Sequence, residues 1–238
     1  MSLDWREYWA GRPAATDVAD LDELLRQIGK TQFGVPVGAE QLDLLVAHLA
    51  DSLGVDAASN GVDLGCGNGV VTRRLAERLG RVVGFDYSAA LLQTAQTHNA
   101  APNVAYRSAD LTEATQLVLP EGRFDVAWSV EVVQNLDPAS LTALLRRLRE
   151  VLSPGFRFLA SGIPDIARIR AFYDTDERWA WHLENESAGR EQMGRWWSAD
   201  ELAGVAAAAG VEVEIRPLPV AYYTSHYRFD ALFTGAPR

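Results

Sequence analysis

Gly61-Val62-Asp63-Leu64-Gly65-Cys66-Gly67-Asn68-Gly69, followed directly by Val70-Val71-Thr72-Arg73-Arg74-Leu75-Ala76, is the stretch on which the fold turns. Val62 to Leu64 has the apolar character of the end of a buried strand, and from Val70 onward apolar residues recur at helical spacing. Between them lie Gly65, Gly67 and Gly69, at alternate positions. A strand, a tight turn and a helix start bring bare backbone N–H groups up to a ligand. Glycine is required there because a Cβ would block both the positive φ angles and the close approach.

The next apolar run, Arg81-Val82-Val83-Gly84-Phe85-Asp86, ends in a carboxylate about twenty residues after the first glycine of the turn. At the end of a neighbouring parallel strand an Asp accepts hydrogen bonds from ribose hydroxyls, so turn and carboxylate together point to an adenosine-containing ligand. Dinucleotide sites use G-x-G-x-x-G, whereas this turn is G-x-G-x-G with Asp63 two residues before its first glycine. A carboxylate there repels a pyrophosphate and suits a ligand that carries an ammonium group.

The turn resembles motif I, and Val83-Gly84-Phe85-Asp86 motif II, of the class I S-adenosylmethionine-dependent methyltransferases. The resemblance runs from Ala39 to the C-terminus. It implies an α/β, Rossmann-like seven-stranded mixed sheet of order 3-2-1-4-5-7-6, strand 7 antiparallel, with helices on both faces. It also implies S-adenosyl-L-methionine as cofactor, S-adenosyl-L-homocysteine as product, and in-line methyl transfer to a small-molecule acceptor. Two alternatives are an NAD-dependent oxidoreductase and a methyltransferase-like protein that binds cofactor without turnover. The cofactor residues implied are Asp63, Gly65, Cys66, Gly67, Asp86, Tyr87, Asp110, Leu111 and Ser129. Asp110 and Leu111, after the strand Val104 to Arg107, take the family's adenine-binding positions, and Asp110 also suits the cap of a helix over Thr112 to Leu117.

Composition limits the rest. The 238 residues suffice for one α/β domain with an extension, which the sequence divides into 1–58, a helical cap, and 59–238, the core. A net charge of −10 opposes nucleic acid as a partner, because phosphate contacts need a basic face. No apolar run is long enough to cross a bilayer, and Met1 to Gly11 lacks a signal-peptide core, so the expectation is a cytoplasmic protein without a membrane partner, monomer or homodimer. The one cysteine, Cys66, is taken as a small residue filling the turn, and the four histidines lack metal-ligand spacing. Lys30 is the only lysine. Gly29-Lys30-Thr31 imitates a phosphate loop, but Leu24 stands where that loop needs its first glycine.

Along the chain, Asp20 to Ile28 and Ala39 to Leu53 have helical periodicity, and Trp5, Trp9 and Gln32 are candidates for ligand contact. Ser88 caps a helix to His98. Gly122 to Val130 is a fourth strand, whose end puts Ser129, Val130 and Glu131 near the reaction. Asn135 stands where many small-molecule relatives of the family carry a histidine. Pro138 opens a helix through Leu152, Arg157 to Gly162 is a fifth strand, and Val211 to Arg216 and Tyr227 to Thr234 are the last two. The connection 163–197 exceeds an ordinary strand-to-helix link and holds Tyr173, Trp179, Trp181 and His182, so it is read as a substrate lid. Acceptor-site candidates are Tyr173, Trp181, His182, Tyr222 and Tyr223; Glu131, His182 and His226 are candidate bases.

Overall fold

The glycine turn joins β1 (Asn60–Leu64) to α3 (Val70–Leu75), in the middle of a seven-stranded sheet. The computed structural model describes residues 8–9 and 20–236, so the expectation for Trp5, and that for residues 1–58 in part, fall outside the described residues. Ahead of β1 come α1 (Leu21–Gln27), a two-residue antiparallel pair (Thr31–Gln32 with Val35–Pro36) and α2 (Gly38–Leu53). Then follow β2 (Arg81–Asp86), α4 (Ala89–His98), β3 (Val104–Ser108), β4 (Val126–Val130), α5 (Pro138–Val151) and β5 (Arg157–Pro164). The chain closes with α6 (Asp176–Ser187), α7 (Ala199–Ala209), β6 (Glu212–Pro217) and β7 (Arg228–Thr234).

The strand order is β3-β2-β1-β4-β5-β7-β6, as the resemblance implies. The first five strands run parallel, and β7 is antiparallel to both β5 and β6. The order reverses between β1 and β4, and at such a switch point the crevice outside the strand ends receives ligand. Because β7 runs backward, it is its first residue, Arg228, that lies at this edge, paired with Pro164 at the end of β5.

Both faces of the sheet are covered, which follows from near-continuous apolar strands. In β4, Val126 and Trp128 join the core under α1, α2 and α3, while Ala127 joins the opposite core under α5 and α7. On α5, Leu141, Leu144, Leu145 and Leu148 form one buried face, each contributing roughly 1.5–3 kcal/mol by burial. The helix begins where Asp137 accepts from Ser140 N at 2.7 Å and Pro138 takes the first turn. Ser198 and Glu201 form a reciprocal capping box on α7.

Three boundaries differ from expectation. The fourth strand begins at Val126, since Gly122 adopts φ +120° and residues 122–125 enter as a loop. Thr112 to Leu117 holds only a 3₁₀ turn, Ala114–Gln116. Ile163 and Pro164 complete β5, and Trp197, fully buried in the sheet's core, pairs with Asp165, so the insertion proper spans 165–196. Trp197 N donates to Pro164 O at 2.9 Å and Ile166 N to Trp197 O at 3.0 Å, closing its base.

Candidate active site

The turn is held against β2, because the N–H groups of Gly65 and Cys66 both donate to Phe85 O, at 2.8 and 2.9 Å. Gly65 has φ +79°, and a Cβ there would meet Val132 Cγ2 at 2.6 Å. Gly67 has φ +54° and faces Ile28. Burial raises the Cys66 thiol further from ionisation, so it lacks the thiolate that nucleophilic chemistry needs.

Three carboxylates follow the edge of the sheet from β3 to β1. Asp86 accepts from Gly67 N through Oδ2 and from Ser88 N through Oδ1, both at 2.9 Å, and burial raises its pKa. Each oxygen has a further lone pair for a ligand hydroxyl. Asp63 is 3 % exposed; burial pushes its carboxyl up to about 7, against the hydroxyl of Thr72, which donates to it at 2.7 Å. Asp110 accepts from Thr112 N and Oγ1 at 2.9 and 2.7 Å.

A cavity of about 270 Å³ runs from these acids past the ends of β4 and β7. Its far half is built from residues distant in sequence. Lys30, 4 % exposed, donates to Glu131 Oε1 at 3.1 Å and to the Tyr222 hydroxyl at 3.5 Å. Burial works to lower the Lys30 pKa, but Glu131 overrides it and leaves the ammonium above its usual value. For Glu131 burial acts upward, and the charges of Lys30 and Arg228 outweigh it, so the carboxyl titrates below its ordinary range.

Glu131 sits at φ +58°, a left-handed conformation costly for any residue with a Cβ. A bulge in β5 makes room for it. The register against β7 shifts between Ala160 and Ile163, and Gly162, at φ +78°, lies so near Glu131 that a Cβ would approach its Cγ to 2.9 Å. Glu131 N donates to Ser161 O at 2.8 Å. Arg228 Nη1 donates to Gln134 Oε1 at 2.7 Å and to Gly162 O. Arg228 Nε and Asn135 Oδ1 are buried without a hydrogen-bond partner among the described residues.

Of the cofactor residues expected from sequence, Asp63, Gly65, Cys66, Gly67, Asp86, Tyr87, Asp110 and Leu111 line the cavity. Ser129 does not: it is buried within the sheet, and Val130 and Glu131 line the cavity instead. The expected acceptor residues are largely elsewhere. Tyr173 stacks on His182 with centroids 4.4 Å apart, and both bond Glu191 Oε2, at 2.8 and 2.6 Å, so they brace the insertion internally. Trp181 is about half exposed, and His226 is exposed with its ring against Tyr227. Tyr222 supports Lys30 from behind, and Tyr223 N bonds Gln41; neither lines the cavity. Neither histidine is therefore positioned as a base in this cavity. Trp9 lines it, while Gln32 is exposed on the small hairpin.

Sequence reasoning missed Lys30, Gln134, Gln192, Met193 and Arg228 as lining residues. The one available signal was that a solitary lysine sits in an otherwise arginine-only basic set.

Residues 62–155 match the family described as a methyltransferase domain. Over 169 residues the chain is 27 % identical to a ubiquinone biosynthesis O-methyltransferase of Pseudomonas aeruginosa (strain UCBPP-PA14), covering 70 % of this chain and 71 % of that one. Together these matches support a class I S-adenosylmethionine-dependent methyltransferase. The same fold occurs in a SAM-dependent methyltransferase from Methanosarcina mazei (TM-score 0.61, 14 % identity, 80 % of this chain and 98 % of that). It occurs also in magnesium protoporphyrin IX methyltransferase from Synechocystis PCC 6803, solved with bound SAH (TM-score 0.56, 15 % identity, 97 % and 94 %). The cofactor of the methyltransferase is S-adenosylmethionine, and the dehydrogenase alternative falls away. The cavity suits that molecule: a side-chain-free backbone bend lies beside carboxylates that complement a cation.

Proposed function

We propose that this methyltransferase transfers its methyl group to an oxygen of a small-molecule acceptor by in-line displacement. The observation that carries the reading is the division of one cavity into an acid-lined half along β3, β2 and β1 and a separate half beyond β4. The likeness to O-methyltransferases supports oxygen as the receiving atom.

When bound, S-adenosylmethionine supplies a methyl group already activated on a sulfonium. The protein's contribution is then alignment and exclusion of water. In this reading Asp86 accepts from the ribose hydroxyls and the Gly65–Gly67 backbone lies along the amino-acid portion. Asp63 faces the ammonium, Asp110 and Leu111 meet the adenine, and the backbone at Ser129 and Val130 borders the methyl group. Gln192 and Met193, from the insertion, close the cavity over the acceptor.

The test is release of S-adenosylhomocysteine across a panel of phenols, carboxylic acids and amines. Turnover with oxygen acceptors is expected. Turnover with amines alone contradicts oxygen transfer, and tight product binding without any turnover supports a binding protein instead.

A further inference from the structure

The charges of the cavity are sorted by strand. Asp110, Asp86 and Asp63 follow β3, β2 and β1, whereas Lys30, Glu131 and Arg228 gather beyond β4, where β5 and β7 end. The acidic half complements a cationic cofactor. Among the side chains that line the other half are two cations and one carboxylate, so the lining carries one positive charge more than it balances itself. Uncompensated buried charge is costly, and such clusters are found where a ligand completes them.

Arg228 is the group left incomplete. It is 3 % exposed, lines the cavity, lies over the Tyr227 ring with Cζ 5.2 Å from the centroid, and is anchored through Nη1 to Gln134 and Gly162 O, yet its Nε is buried without a hydrogen-bond partner among the described residues. Lys30 is already engaged by Glu131 and Tyr222. The geometry points to an acceptor that enters as an oxygen anion, a phenolate or a carboxylate, with its negative charge held by Arg228 and Lys30. This rests on the methyltransferase reading and adds the charge state of the acceptor.

The rest of the site agrees. Among the described lining residues there is no histidine, and Glu131 is held below its usual pKa, a poor base for removing an acceptor proton. An oxygen that arrives as an anion donates its own lone pair to the new O–CH₃ bond. The C–S bonding pair stays on sulfur, and no proton has to be moved.

The test uses the whole protein saturated with S-adenosylhomocysteine and two probe pairs. Benzoate should bind at least tenfold more tightly than neutral benzamide. 4-Nitrophenol, followed by the absorbance of its anion, should ionise at lower pH when bound, by about one unit, which is a tenfold preference for the anion. Arg228→Gln should abolish both preferences while product affinity stays within twofold, and Arg228→Lys should restore part of them. The benzoate and nitrophenol arms also tell a carboxylate site from a phenolate site. Equal or tighter binding of benzamide with an unshifted nitrophenol, or no binding of either anion, overturns the proposal while leaving the methyltransferase intact. Failure of S-adenosylhomocysteine itself to bind removes the underlying reading. Weakened product binding in Arg228→Gln assigns Arg228 to the cofactor's carboxylate and likewise overturns it. The wild-type probe measurements decide the matter even if the variants do not fold.

Discussion

The two halves of the cavity are built in opposite ways. The acidic half comes from three consecutive strand ends, each delivering its carboxylate within one short local segment. The far half is assembled across the chain: Lys30 and Glu131 are 101 residues apart, Gln134 and Arg228 are 94 apart, and both pairs meet only when the sheet is complete. A motif-built half tolerates change elsewhere in the fold. A half assembled from distant pieces depends on every piece, and its residues are bound together by burial.

The sharpest way to break the comparison is Lys30→Met. It removes the ammonium that hydrogen-bonds Glu131 and leaves Arg228 as the remaining charge acting on that carboxylate. Removing one partner of a buried pair costs about 3–5 kcal/mol, and the part-exposed Glu131 side chain puts the expected loss at the lower end. Urea unfolding should show that loss, and adding Glu131→Gln should recover most of it. Equal stability of Lys30→Met and wild type contradicts a buried, interdependent half.

Gly162→Ala comes next. It forces a Cβ against Glu131 at a left-handed φ, a strain of about 1–3 kcal/mol. Acceptor turnover should fall steeply while S-adenosylhomocysteine affinity is retained, because the acidic half is untouched. Parallel loss of both would merge the two halves into one unit.

Asp63 sharpens the contrast from the acidic side. Its folded-state pKa of about 7 lies above the ordinary 3.8, so between those values the folded protein holds a proton that the unfolded chain has lost. Stability of the ligand-free protein should therefore fall as pH rises from about 4 to 7, by at most about 1.4 kcal/mol per pH unit for this group, and level off above. Burial raises Asp86 as well, which acts in the same sense. Asp63→Asn should flatten the slope in thermal melts from pH 5 to 8 and weaken product binding; an unchanged slope contradicts the burial of Asp63.

Ser198→Ala is the smallest effect and the control. It removes the cap of α7, a helix that does not line the cavity, and should cost about 1 kcal/mol in unfolding with kcat and KM unchanged. A change in KM would mean that α7 communicates with the cavity.

Legibility in the sequence divides along the same line. The glycine bend and the carboxylates of Asp63 and Asp86 could be located because each depends on a few neighbouring residues and a fixed spacing, whereas the strand order and the place of Asp110 came from the family resemblance that those residues carry. Lys30, Gln134 and Arg228 could not, since nothing within a few positions of any of them marks it. Of the aromatic acceptor candidates in the insertion, Tyr173 and His182 bond Glu191, Tyr173 and Trp181 line a neighbouring cavity, and the residues shared by both cavities include Gln192 and Met193. Arg228 escaped notice also because its role follows from β7 running backward, which puts the first residue of the strand at the ligand edge.

The most direct test is a calorimetric titration of wild type and Asp86→Ala with S-adenosylhomocysteine and, separately, with NAD. The account predicts tight binding of S-adenosylhomocysteine, none of NAD, and a loss of about 1.5–3 kcal/mol in the variant as charged hydrogen bonds to the ribose disappear. Unchanged affinity in Asp86→Ala, or tight NAD binding to the wild type, would contradict it.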